Sequence, residues 1–220
     1  MIIPNLTDAE KLMYQIIGSI CEMNVPIIFE GALITKLILA ENQFTELSRK
    51  TVDIDASWIG EPPAMSYLVD ILNQSLSTIS EDLCAEVKRE YEEDTSAGFK
   101  IINRNLGKTV TTMDIDIKST KEGRLYYYGD LTIKGALPTE ILSDKIAAIS
   151  KRTVFRRTKD LIDIYALANC VEIKTIDVYE SHQRNNRVLG EFAELLSQQK
   201  EINYAFQKLQ GIDNKPDFNY

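Results

Sequence analysis

The sequence predicts an α+β protein, with strands and interposed helices over residues 1–139 and a helical C-terminal part over 140–220. Three observations carry this. Residues 51–58 and the segment "TVTTMDIDIKS" alternate apolar and polar side chains with the period of two that belongs to a strand. Leu12, Ile16, Ile17 and Ile20 recur at helical spacing. After Pro138 the strand pattern stops, and apolar residues follow helical spacing to about residue 210.

In chain order, Thr7-Asp8 caps a helix that runs to about Met23 and is closed by Pro26. "PIIFEG" reads as a short strand ending at Gly31, and "ALITKLILA" as a helix behind it. The strand around 51–58 follows. Pro62-Pro63 opens a helix with apolar positions Tyr67, Leu68, Ile71 and Leu72. "GFKIINRN", "TVTTMDIDIKS" and "RLYYYGDLTIKG" are strand-like. Helical pattern covers Glu140 to about Cys170 and roughly 174–210, and the tail "DNKPDFNY" reads as frayed. The change near residue 140 is the one subdomain boundary that the pattern suggests.

The totals narrow the function classes. The 220 residues are 44% hydrophobic and 26% charged, the profile of an ordinary soluble globular protein. A formal net charge of −8 argues against a surface that coats nucleic acid broadly, but leaves room for one local basic site. Cys21, Cys84 and Cys170 are widely spaced and form no CxxC, so neither a disulfide framework nor a zinc site is expected, and a reducing cytoplasm fits. "MIIPNLTDAEK" lacks the charged and apolar regions of a signal peptide, and no apolar stretch reaches the roughly 18 residues of a membrane span.

The chemistry concentrates in "SRKTVDIDASW". In an extended strand, residues i and i+2 share a face, so Asp53 and Asp55 project together, while Val52, Ile54 and Ala56 face a core. Two close carboxylates repel and call for a proton or a cation, and Mg²⁺ prefers oxygen ligands. "TTMDIDIKS" repeats the device with Asp114 and Asp116. If the two strands are neighbours, three or four carboxylates meet at one spot, an arrangement suited to metal-assisted phosphoryl or nucleotidyl transfer. The bland alternative is a pair of solvent faces.

A second concentration lies in "DKIAAISKRTVFRRTKDLIDIYAL". On one unbroken helix, Lys145, Arg152, Arg156, Lys159 and Asp163 share a stripe beside an apolar stripe of Ile146, Leu161, Ile164 and Ala168. Thr153-Val154 marks the place where such a helix would break. The cations are suited to a triphosphate or an RNA phosphate, and equally to a solvated face laced with ion pairs.

Together these segments resemble the AbiEii/AbiGii-type nucleotidyltransferases, toxins of toxin–antitoxin and abortive-infection systems. Arg49, Thr51, Asp53, Ile54 and Asp55 match the family's Arg-x-Ser/Thr-x-Asp-Ile-Asp strand. Lys145, Ala148, Ile149 and Arg152 match its Lys-x-x-Ala-Leu-x-x-Arg. Arg157, Lys159, Asp160, Asp163 and Tyr165 match the motif that follows. The likeness spans about residues 25 to 168. It implies a nucleotidyltransferase-like mixed β-sheet with flanking helices and a helical C-terminal part. It also implies a nucleoside triphosphate donor, a macromolecular acceptor with tRNA foremost, an antitoxin partner, and Mg²⁺ or Mn²⁺ as cofactor.

The resemblance also implies roles. Asp53 and Asp55 hold Mg²⁺, joined by Asp116, with Asp114 as the alternative third carboxylate. Lys145 neutralises phosphate charge, and Asp160 and Asp163 orient Lys145, Arg152 or the base. Gly31, Thr51, Arg152, Arg156 and Lys159 belong to the nucleotide site. Arg49 either contacts phosphate or locks its strand through a salt bridge. The chain departs from the family where a Gly-Gly-Thr/Ser turn would cradle phosphates. It reads Glu30-Gly31-Ala32, which loses a hydroxyl and sets a carboxylate where it would repel phosphate, with Thr35 and Ser57 as candidate substitutes for that hydroxyl.

Elsewhere, His182 is expected on the surface, Tyr126–Tyr128 on a strand with one wet face, and Trp58 in the core. The helices of 174–210 read as amphipathic packing or an antitoxin-docking surface. Three functions compete: an active Mg²⁺-dependent nucleotidyltransferase toxin, a catalytically degenerate binding or regulatory protein of the same fold, and a metal-dependent hydrolase.

Overall fold

The structure is a computed structural model that describes residues 3–91, 96–150, 158–190, 192 and 197–212. It begins with α1 (Asp8–Glu22), whose first turn is closed by a capping box. Glu10 N–H donates to Thr7 Oγ1 at 3.2 Å, and Thr7 N–H donates to Glu10 Oε2 at 2.9 Å. Strand β1 (Ile27–Glu30) is buried along its whole length and leads directly into α2 (Gly31–Glu41). Ala32 through Leu39 are all buried, so α2 is a core helix and not an amphipathic surface one.

Strand β2 (Asp53–Ile59) and α3 (Met65–Ile79) follow. The remaining strands are β3 (Leu83–Arg89), β4 (Ser96–Asn103), β5 (Lys108–Ser119), β6 (Gly123–Tyr128) and β7 (Leu131–Ala136). The chain then becomes helical, with α4 (Pro138–Ile149), α5 (Thr158–Cys170), α6 (Thr175–Arg184) and α7 (Gln199–Lys208). Pro138 stands in the first turn of α4, where its missing N–H costs nothing.

The strands form one mixed sheet in the order β3-β4-β5-β2-β1-β7-β6. β2 runs antiparallel to β1 and parallel to β5. This central position, with two DID strands side by side, is what places the site. Ile54, Ala56, Met113 and Ile115 are buried on one face of β2 and β5, as the alternation requires. Trp58 joins them, as expected, and donates Nε1–H to the Glu61 carbonyl at 2.9 Å.

Several expectations need correction. Val52 does not face the core: it is 74% exposed, because β2 begins only at Asp53. "RLYYYGDLTIKG" is a hairpin, β6 and β7, turning at Gly129 with φ +56°. In it Tyr126 is fully buried and Tyr127 exposed, the expected one-wet-face strand. β3 has no counterpart in the apolar pattern, since only its first three residues are buried. Lys145 and Asp163 lie on separate helices, α4 and α5, instead of one continuous stripe, and α4 is capped at Ser150. On α5 the buried apolar residues are Ile162, Ala166 and Leu167, while Ala168 is exposed. His182 is buried, not on the surface, with Nδ1 3.2 Å from Ser143 Oγ. No helix among the described residues is long and apolar enough to cross a membrane.

Glu10 ties the first part of the fold together. Besides capping α1, its fully buried carboxylate pairs with Lys36 of α2 at 2.9 Å and accepts the Thr51 N–H at 3.1 Å just before β2. Burial pushes the Glu10 carboxyl up, but Lys36 and the Thr7 N–H outweigh this and hold it below its ordinary value. Replacing it by Ala strands the Lys36 ammonium without a partner. Glu10→Ala is expected to cost about 3–5 kcal/mol in urea denaturation, and a Glu10→Gln/Lys36→Met pair much less.

Candidate active site

The site is built where β1 hands over to α2. Gly31 opens α2 at φ +70°, a conformation that side chains disfavour. A Cβ there would also overlap the Asp55 carboxylate. Glycine is thus required twice over, and the close approach lets the helix start beside the acidic strand. Glu30 pairs with Asp55 across β1 and β2, and Asp55 pairs with Asp114 across β2 and β5. Asp53 lies beside Thr112, and Asp116 beside Ser57.

A cleft of about 360 Å³ opens over this face of the sheet. Asp55, Asp114 and Asp116 line its floor; Lys145 and Asp160 stand in the same lining. Asp53 does not line it. Thr51 Oγ1 donates to Asp53 Oδ1 at 2.6 Å and fixes that carboxylate just beside the cleft. Burial raises the Asp55 carboxyl to about 6; Asp53 and Asp114 add to the rise, while Lys145 and Lys159 oppose it. Asp114 is already held by Arg89 at 2.6 Å. Asp116 makes no ion pair among the described residues.

The donor set fits a hard divalent cation: oxygen atoms alone, on adjacent strands, with mutual repulsion that a cation would relieve. The side chains are not drawn in around one point, however. No group of three or more Asp, Glu, His or Cys among the described residues is close enough to hold a metal ion.

Opposite the carboxylates, Lys145 is buried and held on both sides. Its Nζ lies 2.6 Å from Asp163 and 3.4 Å from Asp160. Asp163 in turn accepts from Arg49, Nε at 3.0 Å and Nη2 at 2.9 Å. Burial pushes the Asp163 carboxyl up, but Lys145 and Arg49 outweigh it and hold it below its ordinary value. Arg49 is therefore committed to an ion pair that links the approach to β2 with α5. Lys159 is half-buried on α5. Arg152 and Arg156, expected on the phosphate-facing stripe, lie outside the described residues.

One part of the site has no counterpart in the sequence reading. Glu30 is not left bare toward the cleft. Lys121, from the turn between β5 and β6, forms an ion pair with it, and Ser57 Oγ donates to it at 2.7 Å. Lys121 also bonds Asp144 at 2.6 Å, and Asp144 bonds Arg187 at 2.7 Å. The hydroxyls considered as substitutes for the missing turn are used internally, Ser57 on Glu30 and Thr35 on the Gly31 carbonyl at 2.8 Å. Burial pushes Glu30 up to about 7, against the pull of Lys121. The repulsion expected of Glu30 is thus countered by a buried lysine. No spacing rule could have found it, because Lys121 and Glu30 stand 91 residues apart.

Comparison with known proteins now decides the family. The model of the "Nucleotidyl transferase AbiEii toxin, Type IV TA system" family matches residues 39–203. The chain belongs to this AbiEii family. The match begins after Gly31, so it covers β2, β5, α4 and α5 but not the altered turn.

Solved structures share the fold of this AbiEii chain. ANT(2″)-Ia in complex with adenylyl-2″-tobramycin aligns with TM-score 0.54 at 13% identity, over 81% of this chain and 99% of that one. MenT4, a nucleotidyltransferase toxin from Mycobacterium tuberculosis H37Rv, aligns with TM-score 0.50 at 12% identity, over 83% and 67%. An antigenic nucleotidyltransferase-like protein from Paracoccidioides brasiliensis aligns with TM-score 0.50 at 16% identity, over 90% and 92%. The predicted nucleotidyltransferase-like mixed sheet with flanking helices is therefore the observed one. No curated protein matches the sequence.

Proposed function

We propose that the protein is a Mg²⁺-dependent nucleotidyltransferase. In this reading it moves a nucleotide from a nucleoside triphosphate to a macromolecular acceptor, tRNA foremost, as the toxin of an antitoxin-controlled pair. One observation carries it: a single cleft sets Asp55, Asp114 and Asp116, from two parallel strands, against Lys145 from α4.

In this reading Asp53, Asp55 and Asp116 would hold Mg²⁺, and the bound ion would supply charge stabilisation to the triphosphate. Asp116 takes the third place because Arg89 already holds Asp114. Thr51 aims Asp53. Lys145, kept in place by Asp160 and Asp163, neutralises charge developing on the phosphates. Arg49 holds Asp163 and so fixes Lys145 at one remove. Gly31 lets the N-terminus of α2 approach the phosphates closely.

A second reading, a degenerate binding protein of the same fold, is favoured by the altered turn: Ala32 has no hydroxyl, and Ser57 and Thr35 spend theirs on Glu30 and the Gly31 carbonyl. Incubation with Mg²⁺, labelled nucleoside triphosphates and total tRNA separates the two. Transfer of label that disappears in Asp55→Ala supports the enzyme. Silence with all four nucleotides supports the degenerate protein.

A further inference from the structure

Four charged side chains run as one series through the wall of the cleft: Glu30 at the end of β1, Lys121 in the turn between β5 and β6, Asp144 on α4, and Arg187 after α6. All four line the same cleft as Asp55 and Lys145. Lys121 is at the centre of the series, 4% exposed, between the carboxylates of Glu30 and Asp144. Burial alone would lower the Lys121 ammonium, but the two carboxylates outweigh it and hold it above its ordinary value, so it carries its charge. Burial likewise pushes the Asp144 carboxyl up, but Lys121 and Arg187 outweigh it and hold it below its ordinary value.

A buried ion pair adds little net stability, because desolvation consumes most of the attraction. As a device for folding alone, the series is a poor choice, and its place says more. Glu30 directly precedes Gly31, where α2 opens. Asp144 directly precedes Lys145 on α4. Neighbouring residues on a helix point about 100° apart, so a tether on Asp144 also fixes the direction of Lys145. Lys121 thus joins the two walls that carry the phosphate-facing groups. Its charge matters as much. Glu30 and Asp144 are balanced by Lys121 and Arg187. Without Lys121, Asp144 keeps Arg187, while Glu30 becomes an uncompensated anion across from Asp55, in a cleft already lined by Asp114 and Asp116.

We propose that Lys121 is a positioning residue for the triphosphate: through Glu30 and Asp144 it holds the start of α2 and the Lys145 helix in place, and it cancels the charge that Glu30 brings into the turn, so that the altered turn still admits phosphate. This rests on the nucleotidyltransferase reading of the cleft. The lysine acts on the phosphates through its partners and not by contact, because two carboxylates already stand on its ammonium. Glu30 and Lys121 are therefore a matched pair: the carboxylate is harmless to nucleotide binding only while the lysine is present.

A double-mutant cycle on the binding of a labelled, non-hydrolysable nucleoside triphosphate with Mg²⁺ tests this in the full chain, at a temperature well below each variant's melting point. Lys121→Met should weaken binding about tenfold or more, the scale on which one member of a buried charge pair is missed. Glu30→Gln alone should matter less, and Glu30→Gln/Lys121→Met should recover most of the loss. The loss should also shrink from the triphosphate to the monophosphate of the same nucleoside, which a general loosening of the fold would not produce. Where Lys121→Met does not fold, Lys121→Gln takes its place in the cycle. Equal binding by the wild type and the Lys121 variant overturns the assignment. So does a double variant that binds no better than the Lys121 variant, which would put the lysine on the phosphates themselves. A wild type that binds no nucleotide is a separate result: it overturns the nucleotidyltransferase reading and this assignment with it.

Discussion

An Asp55→Asn variant is expected to lose nucleotide transfer by about 10³-fold while keeping its fold. A bound metal supplies several kcal/mol of charge stabilisation in the transition state, and about 1.4 kcal/mol is tenfold in rate. Asp55 is the carboxylate most exposed to this argument, because it is packed against Gly31, neighbours Asp114 in register and lines the cleft. The same substitution should raise metal-free stability. The folded protein holds the Asp55 carboxyl at about 6 against an ordinary 3.8. The native state therefore binds more protons than the unfolded state between those values, and metal-free stability falls as pH rises through that window. An uncharged Asn removes that fall. A variant less active but also less stable at pH 7 would point to a structural carboxylate instead.

Lys145→Met is expected to lower transfer by about 10²–10³-fold, the range seen when one preorganised donor to developing charge is removed. The loss should appear mainly in kcat. The variant also leaves Asp160 and Asp163 short of a cation, although Asp163 keeps Arg49. Asp163 has a carboxyl depressed below its ordinary value, so it contributes stability above that value and loses it as pH falls through the folded value. Without Lys145 the depression shrinks, and the acid-unfolding midpoint should move to higher pH. Arg49→Met acts on the same chain at one remove and should cost less activity than Lys145→Met. An Arg49 variant that loses more than the lysine variant would mean that the arginine touches the phosphates itself.

The parts of the site that lie on strands were legible because period two is a strong constraint. Once Ile54 and Ile115 belong to the core, Asp53, Asp55, Asp114 and Asp116 have no other face to occupy. That β2 and β5 are neighbours and parallel is long-range topology, and no local pattern dictates it. β3 escaped notice because only Leu83, Cys84 and Ala85 are buried; the rest of this edge strand is exposed and reads as a loop. The hairpin of β6 and β7 was hidden by an apolar run on both sides of Gly129 and Asp130.

The helical part is less legible in the pattern of apolar residues. Apolar periodicity gives one helical stretch from Glu140 to about Cys170 with Ala168 on its apolar stripe, whereas α4 and α5 are separate helices and the buried stripe of α5 is Ile162, Ala166 and Leu167. Asp160 and Asp163 are buried on α5 against Lys145, which a hydropathy pattern counts as a solvated face. His182 was misplaced for the same reason: its burial depends on Ser143 of α4, a packing partner that α6 does not reveal. Lys121 carried no signal at all.

The central claim, that the carboxylates of β2 and β5 and Lys145 form one Mg²⁺-dependent nucleotide site, is tested most directly by thermal unfolding at pH 7 with and without a non-hydrolysable nucleoside triphosphate and Mg²⁺. At about 100 times the dissociation constant, a ligand bound only by the folded state adds about 2.7 kcal/mol. The account predicts that gain for the wild type when nucleotide and Mg²⁺ are both present, and its loss in Asp55→Asn. An unchanged transition in the wild type, or an equal gain in Asp55→Asn, would contradict it.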